Sequence, residues 1–102
     1  MTSWVKAYVN GRFVIFKVGG YTGKTESEDP VEDIMTANRA WLSAQQGRYL
    51  GLKIGKKVKV RIGNRTVKGR VLRWSRGSYQ ILFDRPLGLT RREAKKVRVD
   101  VD

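Results

Sequence analysis

Apolar and polar residues alternate with a period of two along most of this chain, and the alternation breaks at a few turn-forming dipeptides. Val5, Ala7 and Val9 are separated by Lys6 and Tyr8. Beyond Asn10-Gly11, Val14, Phe16 and Val18 alternate with Phe13, Ile15 and Lys17. Asn-Gly readily takes the positive backbone angles of a two-residue hairpin turn, so residues 4–18 predict two antiparallel strands with one continuously apolar face. The rhythm returns from Lys56. Val58, Val60 and Ile62 alternate with Lys57, Lys59 and Arg61, and Gly63-Asn64 supplies a turn. Residues 66–74 then run back with Val67 and Val71 opposite Lys68, Arg70, Leu72 and Trp74. That hairpin is apolar inside and cationic outside. Ser75-Arg76-Gly77-Ser78 makes a further tight connection, after which Tyr79, Ile81 and Phe83 alternate with Gln80, Leu82 and Asp84. Pro86 and Gly88 end this strand, and Thr90-Arg91-Arg92-Glu93 has the form of a capped helical turn. Val97, Val99 and Val101 form a last strand.

Between the hairpins the period lengthens. Gly19, Gly20 and Gly23 open a loop that turns acidic at Glu26, Glu28 and Asp29. Asp29-Pro30-Val31-Glu32 combines a capping carboxylate, a proline where no donor is needed and a glutamate for a reciprocal cap. Val31, Ile34, Met35, Trp41 and Leu42 recur at three-to-four-residue spacing until Gly47, which predicts an amphipathic helix over about 30–46 with Gly47 as its stop. Trp41 falls on the apolar stripe of that helix, and Trp4 is likewise assigned to packing. The fold expected is mainly β: one domain over 1–102, a small closed six-stranded barrel with the acidic loop and helix at about 20–47 inserted after the second strand. Closure removes the edges that six strands would otherwise leave exposed. Val14, Phe16, Val58, Val60, Val71, Ile81, Phe83 and Val99 are expected in its core.

With 102 residues and 40% hydrophobic content there is material for one core, which argues against a disordered basic tail. The sequence has no cysteine and no histidine, so disulfides, thiolate chemistry and Cys- or His-ligated metals drop out, and with them most hydrolase mechanisms. No metal, cofactor or small-molecule substrate is expected. No apolar run approaches the roughly 18–20 residues of a membrane span, and the N-terminus lacks a signal-peptide stretch, so a cytoplasmic protein without a membrane partner is expected. Gly19-Gly20-Tyr21-Thr22-Gly23-Lys24-Thr25 ends in Gly-Lys-Thr, but it has three residues where a phosphate-binding loop needs four, and it is set aside.

Charge sharpens the picture. The net charge is +13, and residues 48–98 hold seventeen Lys and Arg against only Asp84 and Glu93. The first 47 residues carry five of each sign. Such segregation is best neutralised by phosphates, whose condensed counterions are released as Lys and Arg replace them, so nucleic acid is the expected partner. Lys57, Lys59 and Arg61 on one strand face Arg65, Lys68, Arg70 and Arg73 on the next, an arrangement that weakens the free hairpin and that a bound backbone would favour. Trp74 and Tyr79 beside Arg73 and Arg76 offer faces for base stacking, or rings for the barrel rim. Arg91, Arg92, Lys95 and Lys96 make a second basic cluster. Asp84 and Glu93 are isolated among cations, unlike the grouped carboxylates of a metal-dependent nuclease.

The opening strands with Phe13-Val14-Ile15-Phe16-Lys17-Val18, then Ile54-Gly55-Lys56-Lys57-Val58, Lys68-Gly69-Arg70-Val71 and Phe83-Asp84-Arg85-Pro86-Leu87-Gly88 leading to Val97-Arg98-Val99, resemble the archaeal and eukaryotic large-subunit ribosomal protein family L thirty-five Ae. The likeness is strongest over 54–101. It implies a barrel of the translation-protein or SH3-like kind and a non-enzymatic structural protein that braces rRNA in the cytoplasmic ribosome. Neighbouring ribosomal proteins would meet the acidic loop and helix. Two other readings stay open: a DNA-binding chromatin or regulatory barrel using Trp74 or Leu72 as a wedge, and an accessory subunit of an RNA-processing enzyme with Asp84 or Glu93 in its site.

Overall fold

A computed structural model describes residues 3–20 and 36–102 of the chain. The turn at Asn10-Gly11, with φ of 51° and 81°, joins β1 (Ser3–Val9) to β2 (Arg12–Gly19) in the expected register, Val9 opposite Arg12 and Val5 opposite Phe16. The acidic stretch at Glu26, Glu28 and Asp29, the helix start at Asp29-Pro30-Val31-Glu32, the Tyr21–Thr25 part of the loop (21–25) and positions 30–35 of the expected helix lie outside the described residues.

The rest of that expected helix does not form as one. Arg39–Leu42 is a strand, β3, laid between β2 (Val18 opposite Ala40) and the strand β6 (Tyr79–Phe83), where Ala40 faces Ile81. The helix α1 starts afterwards, at Ala44–Leu50. Its start is set by a reciprocal cap: Ser43 Oγ accepts from Gln46 N–H at 3.1 Å, and the Gln46 side chain accepts from Ser43 N–H at 3.0 Å. Gly47 is not the stop but an interior residue of α1. Gly51 ends the helix with φ of 69°, a left-handed angle that a glycine adopts without strain.

β4 (Lys57–Ile62) and β5 (Arg65–Arg73) form the basic hairpin, and β7 (Val97–Val101) completes the sheet. The barrel is closed with seven strands rather than six, in the order β1-β2-β3-β6-β5-β4-β7. β3 is the added strand, and it supplies ladder partners that β2 and β6 would otherwise lack on one side. All neighbours are antiparallel except β1 and β7, which run parallel with Val9 opposite Val99. Asn10 ties the same seam, donating its N–H to Val99 O and accepting from Val101 N–H, each at 3.0 Å.

All eight residues expected in the core are buried, among them Phe16, Val60, Val71 and Ile81. Leu50, Leu52, Leu87 and Leu89 join the same cluster from outside the strands. The last of these segments is held by Leu87 N–H on Ala37 O at 2.7 Å, and by the Arg65 guanidinium, which donates to Leu87 O and to Gly88 O. Thr90 and Glu93 form the expected capped turn, Glu93 N–H donating to Thr90 Oγ1 at 3.2 Å and Thr90 N–H to the Glu93 carboxylate at 3.1 Å.

Candidate nucleic-acid interface

Strand parity decides which cations can reach a ligand. On β4, Val58, Val60 and Ile62 enter the core, which leaves Lys57, Lys59 and Arg61 on the outer surface. On β5, Val67, Gly69 and Val71 point inward, so Lys68 and Arg70 point out. The register sets Lys57 against Arg70 and Lys59 against Lys68. On the other side of β4, Arg61 pairs with Arg98 of β7. Six cations therefore stand on three adjacent strands. Among the described residues one carboxylate, Asp100, answers them directly, bridging to Arg61 at 3.0 Å and facing Lys59 in the register. Asp84 and Asp102 line a groove with Lys57, Lys59, Lys68 and Arg70.

The remaining expected residues separate into groups. Arg65 shares the inward parity of Val67 and turns under the barrel end. Its guanidinium is engaged by the carbonyls of Leu87 and Gly88 and lies 3.6 Å from Glu93. Arg73, Trp74 and Arg76 sit at the far end of β5 and in the short helical turn Ser75–Gly77, where Arg76 takes a left-handed φ of 57°. Trp74 is 40% exposed and meets Trp41 edge-on, with ring centroids 6.2 Å apart. Tyr79, by contrast, is partly buried against the core, which favours rim packing over stacking for that ring.

Lys95 and Lys96 come round to join Arg61 and Arg98 in a groove with Tyr8. Arg91 and Lys95 line another groove with Trp4, Lys6 and Ile15, and Arg92 is exposed beside them in sequence. Glu93 is the acid within this basic segment. The Thr90 backbone N–H, aided by the Thr90 hydroxyl and the nearby Arg65 charge, holds its carboxyl below the usual glutamate range against a smaller effect of burial.

The outer face of the first hairpin carries three exposed rings, of which one, Trp4, was expected in packing. Trp4 is 51% exposed on the outer face of β1, not packed in the core, with Lys17 Nζ 5.9 Å from its ring centre. Tyr8 and Phe13 are half-exposed and meet edge-on at 5.7 Å, and the register puts Tyr8 directly opposite Arg98. A signal for them was present in the alternation itself, since Trp4, Lys6 and Tyr8 occupy the positions between Val5, Ala7 and Val9.

Among the described residues no group of three or more carboxylates could hold a metal ion, and no helix is long and apolar enough to cross a membrane. Compared with protein-family models, curated proteins and solved structures, the chain has no significant match.

Proposed function

We propose that this protein is a non-catalytic RNA-binding barrel of the translation-protein or SH3-like kind, and a structural component of the large ribosomal subunit in the cytoplasm. The observation that carries the RNA-binding part is the common outward parity of Lys57, Lys59, Arg61, Lys68, Arg70 and Arg98 on β4, β5 and β7. A sheet surface so charged is destabilised by its own like pairs and relieved by a phosphate backbone. Lys95 and Lys96 extend the surface past Arg98. Phosphate contacts of this sort fix position and orientation rather than sequence. The ribosomal part is supported by the resemblance of 54–101 to the L thirty-five Ae family.

The test is co-sedimentation of the protein with ribosomal subunits of its host at low and high salt, beside a titration of structured rRNA fragments. Affinity should fall by roughly 0.7–0.9 logarithmic units per phosphate contact for each tenfold rise in salt. Duplex DNA should compete poorly. Equal competition by DNA would move the assignment to a DNA-binding barrel, and an affinity indifferent to salt would remove the electrostatic mechanism.

A further inference from the structure

Three grooves border outward residues of β1, and each shares a lining residue with the next. The first, of about 360 Å³, is lined by Trp4, Lys17, Trp41, Gln46 and Trp74 among others. The second, of about 490 Å³, is also bounded by Trp4 and continues to Lys6, Ile15, Arg91 and Lys95. Lys95 then borders the third, of about 510 Å³, with Tyr8, Arg61, Lys96 and Arg98. Each includes at least one outward residue of β1, and these residues, Trp4, Lys6 and Tyr8, span about 13 Å at roughly 3.3 Å per residue.

The lining has a definite chemistry. Among the described residues no carboxylate borders any of the three grooves, whereas each groove contains at least one cation. Trp4, Tyr8 and Trp74 keep between 40% and 51% of their surface in solvent, an unusual exposure for three large rings on so small a barrel. The first groove is built by the register: Trp4 opposite Lys17 on β1 and β2, then Lys17 opposite Trp41 on β2 and β3. Helix α1 walls it, held to the hairpin by the Gln46 side-chain amide donating to Ile15 O at 2.7 Å.

Candidate occupants differ in what they would leave unmet. A quaternary ammonium or a methylated lysine would need a nearby anion, and among the described residues no carboxylate borders these grooves. Lys17 stands over Trp4, and a second cation there would be repelled. A proline-rich peptide could use the rings but would leave the cations along the track without counter-charges. Unpaired nucleotides satisfy both, because any base has a π-face for a tryptophan and each phosphate meets a Lys or Arg.

We infer that unpaired nucleotides of the bound RNA follow β1, with bases stacked on Trp4 and Trp74 and phosphates drawn along Lys17, Lys6, Lys95 and Arg98. This inference rests on the RNA-binding reading above and adds a second mode to it. The sheet of β4, β5 and β7 takes backbone charge, whereas the β1 track takes bases.

The experiment compares three probes of about ten nucleotides, within the site sizes of small-barrel strand binders. They are single-stranded oligouridine, the same ribose-phosphate chain without bases, and a blunt RNA duplex. Oligouridine should bind at least about tenfold more tightly than the abasic chain and should quench tryptophan fluorescence. Trp4→Ala and Trp74→Ala should each lower oligouridine affinity by about five- to a hundredfold and leave duplex affinity unchanged. Trp4→Phe should restore part of the loss, and thermal melts of each variant separate a binding defect from unfolding.

Equal affinity for oligouridine and the abasic chain overturns the stacking track while leaving the charged sheet intact as an RNA interface. The track is overturned in the same way if Trp4→Ala and Trp74→Ala fold normally and bind oligouridine as the parent does. If neither the duplex nor the single strands bind at low salt, the RNA-binding reading itself falls, and the track with it.

Discussion

The backbone of Gly47 rests so closely on the ring of Tyr79 that a Cβ at residue 47 would fall 2.0 Å from Cε2 and 2.2 Å from Cδ2. This contact presses α1 onto the first residue of β6. It also explains a helix-weakening residue in the middle of a seven-residue helix.

Gly47→Ala should therefore destabilise the protein, although alanine is the better helix former by about 1 kcal/mol. The overlap involves ring atoms of a partly buried side chain, and overpacking of this kind costs about 1–3 kcal/mol. Urea denaturation measures the difference. A variant more stable than the parent would mean that the Tyr79 ring swings aside freely.

Lys59 and Lys68 face each other across β4 and β5. Replacing one of them with an acid, as in Lys68→Glu, should raise the stability of the free protein by a few tenths of a kcal/mol to about 1 kcal/mol. The same change should weaken binding to structured RNA and flatten its salt dependence. Thermal melts and RNA titrations on one preparation would show whether the two effects oppose each other.

Arg65 belongs to the fold rather than to the charged face. Losing its hydrogen bonds to the Leu87 and Gly88 carbonyls in Arg65→Ala should cost roughly 1–3 kcal/mol, the half-exposed pair with Glu93 adding little. The salt slope of RNA binding should be unchanged, whereas Lys68→Ala should reduce it by about one contact. Matching reductions in both variants would return Arg65 to the interface.

Glu93 supplies a pH dependence of known sign. Its folded carboxyl is held below the ordinary glutamate range, so its contribution is complete at neutral pH and is lost as pH falls through and below that range. Glu93→Gln should remove that part of the acid sensitivity. Melts over this range compare the two proteins, and superimposable profiles would show that the Thr90 cap and Arg65 do not act through the charge.

Most of the strands that could be read in advance have one wet face. On β1, β2, β4, β5 and β7 the alternation between Val and Lys, Arg or Tyr marks both the strand and the side that faces out. β3 has no such alternation, because Ala40, Trp41 and Leu42 are all buried and three consecutive apolar residues fit a helical stripe equally well. The useful mark was Ser43 with Gln46, a capping box that places the helix start after the strand rather than before it. The candidate site divides in the same way. Lys57, Lys59, Arg61, Lys68 and Arg70 could be assigned by parity within one hairpin. The joining of Tyr8, Lys95 and Arg98 depends on β1 meeting β7, a long-range closure that no local pattern announces. The engagement of Arg65 depends on carbonyls more than twenty residues away.

The parallel seam of β1 and β7 constrains how the molecule can be made. β1 waits with one edge of its backbone amides unpaired while some ninety residues are synthesised, and the ring cannot shut until Val97–Val101 has emerged. Closure therefore comes after translation of the last strand, and a nascent chain stalled before that point would carry an open, sticky border.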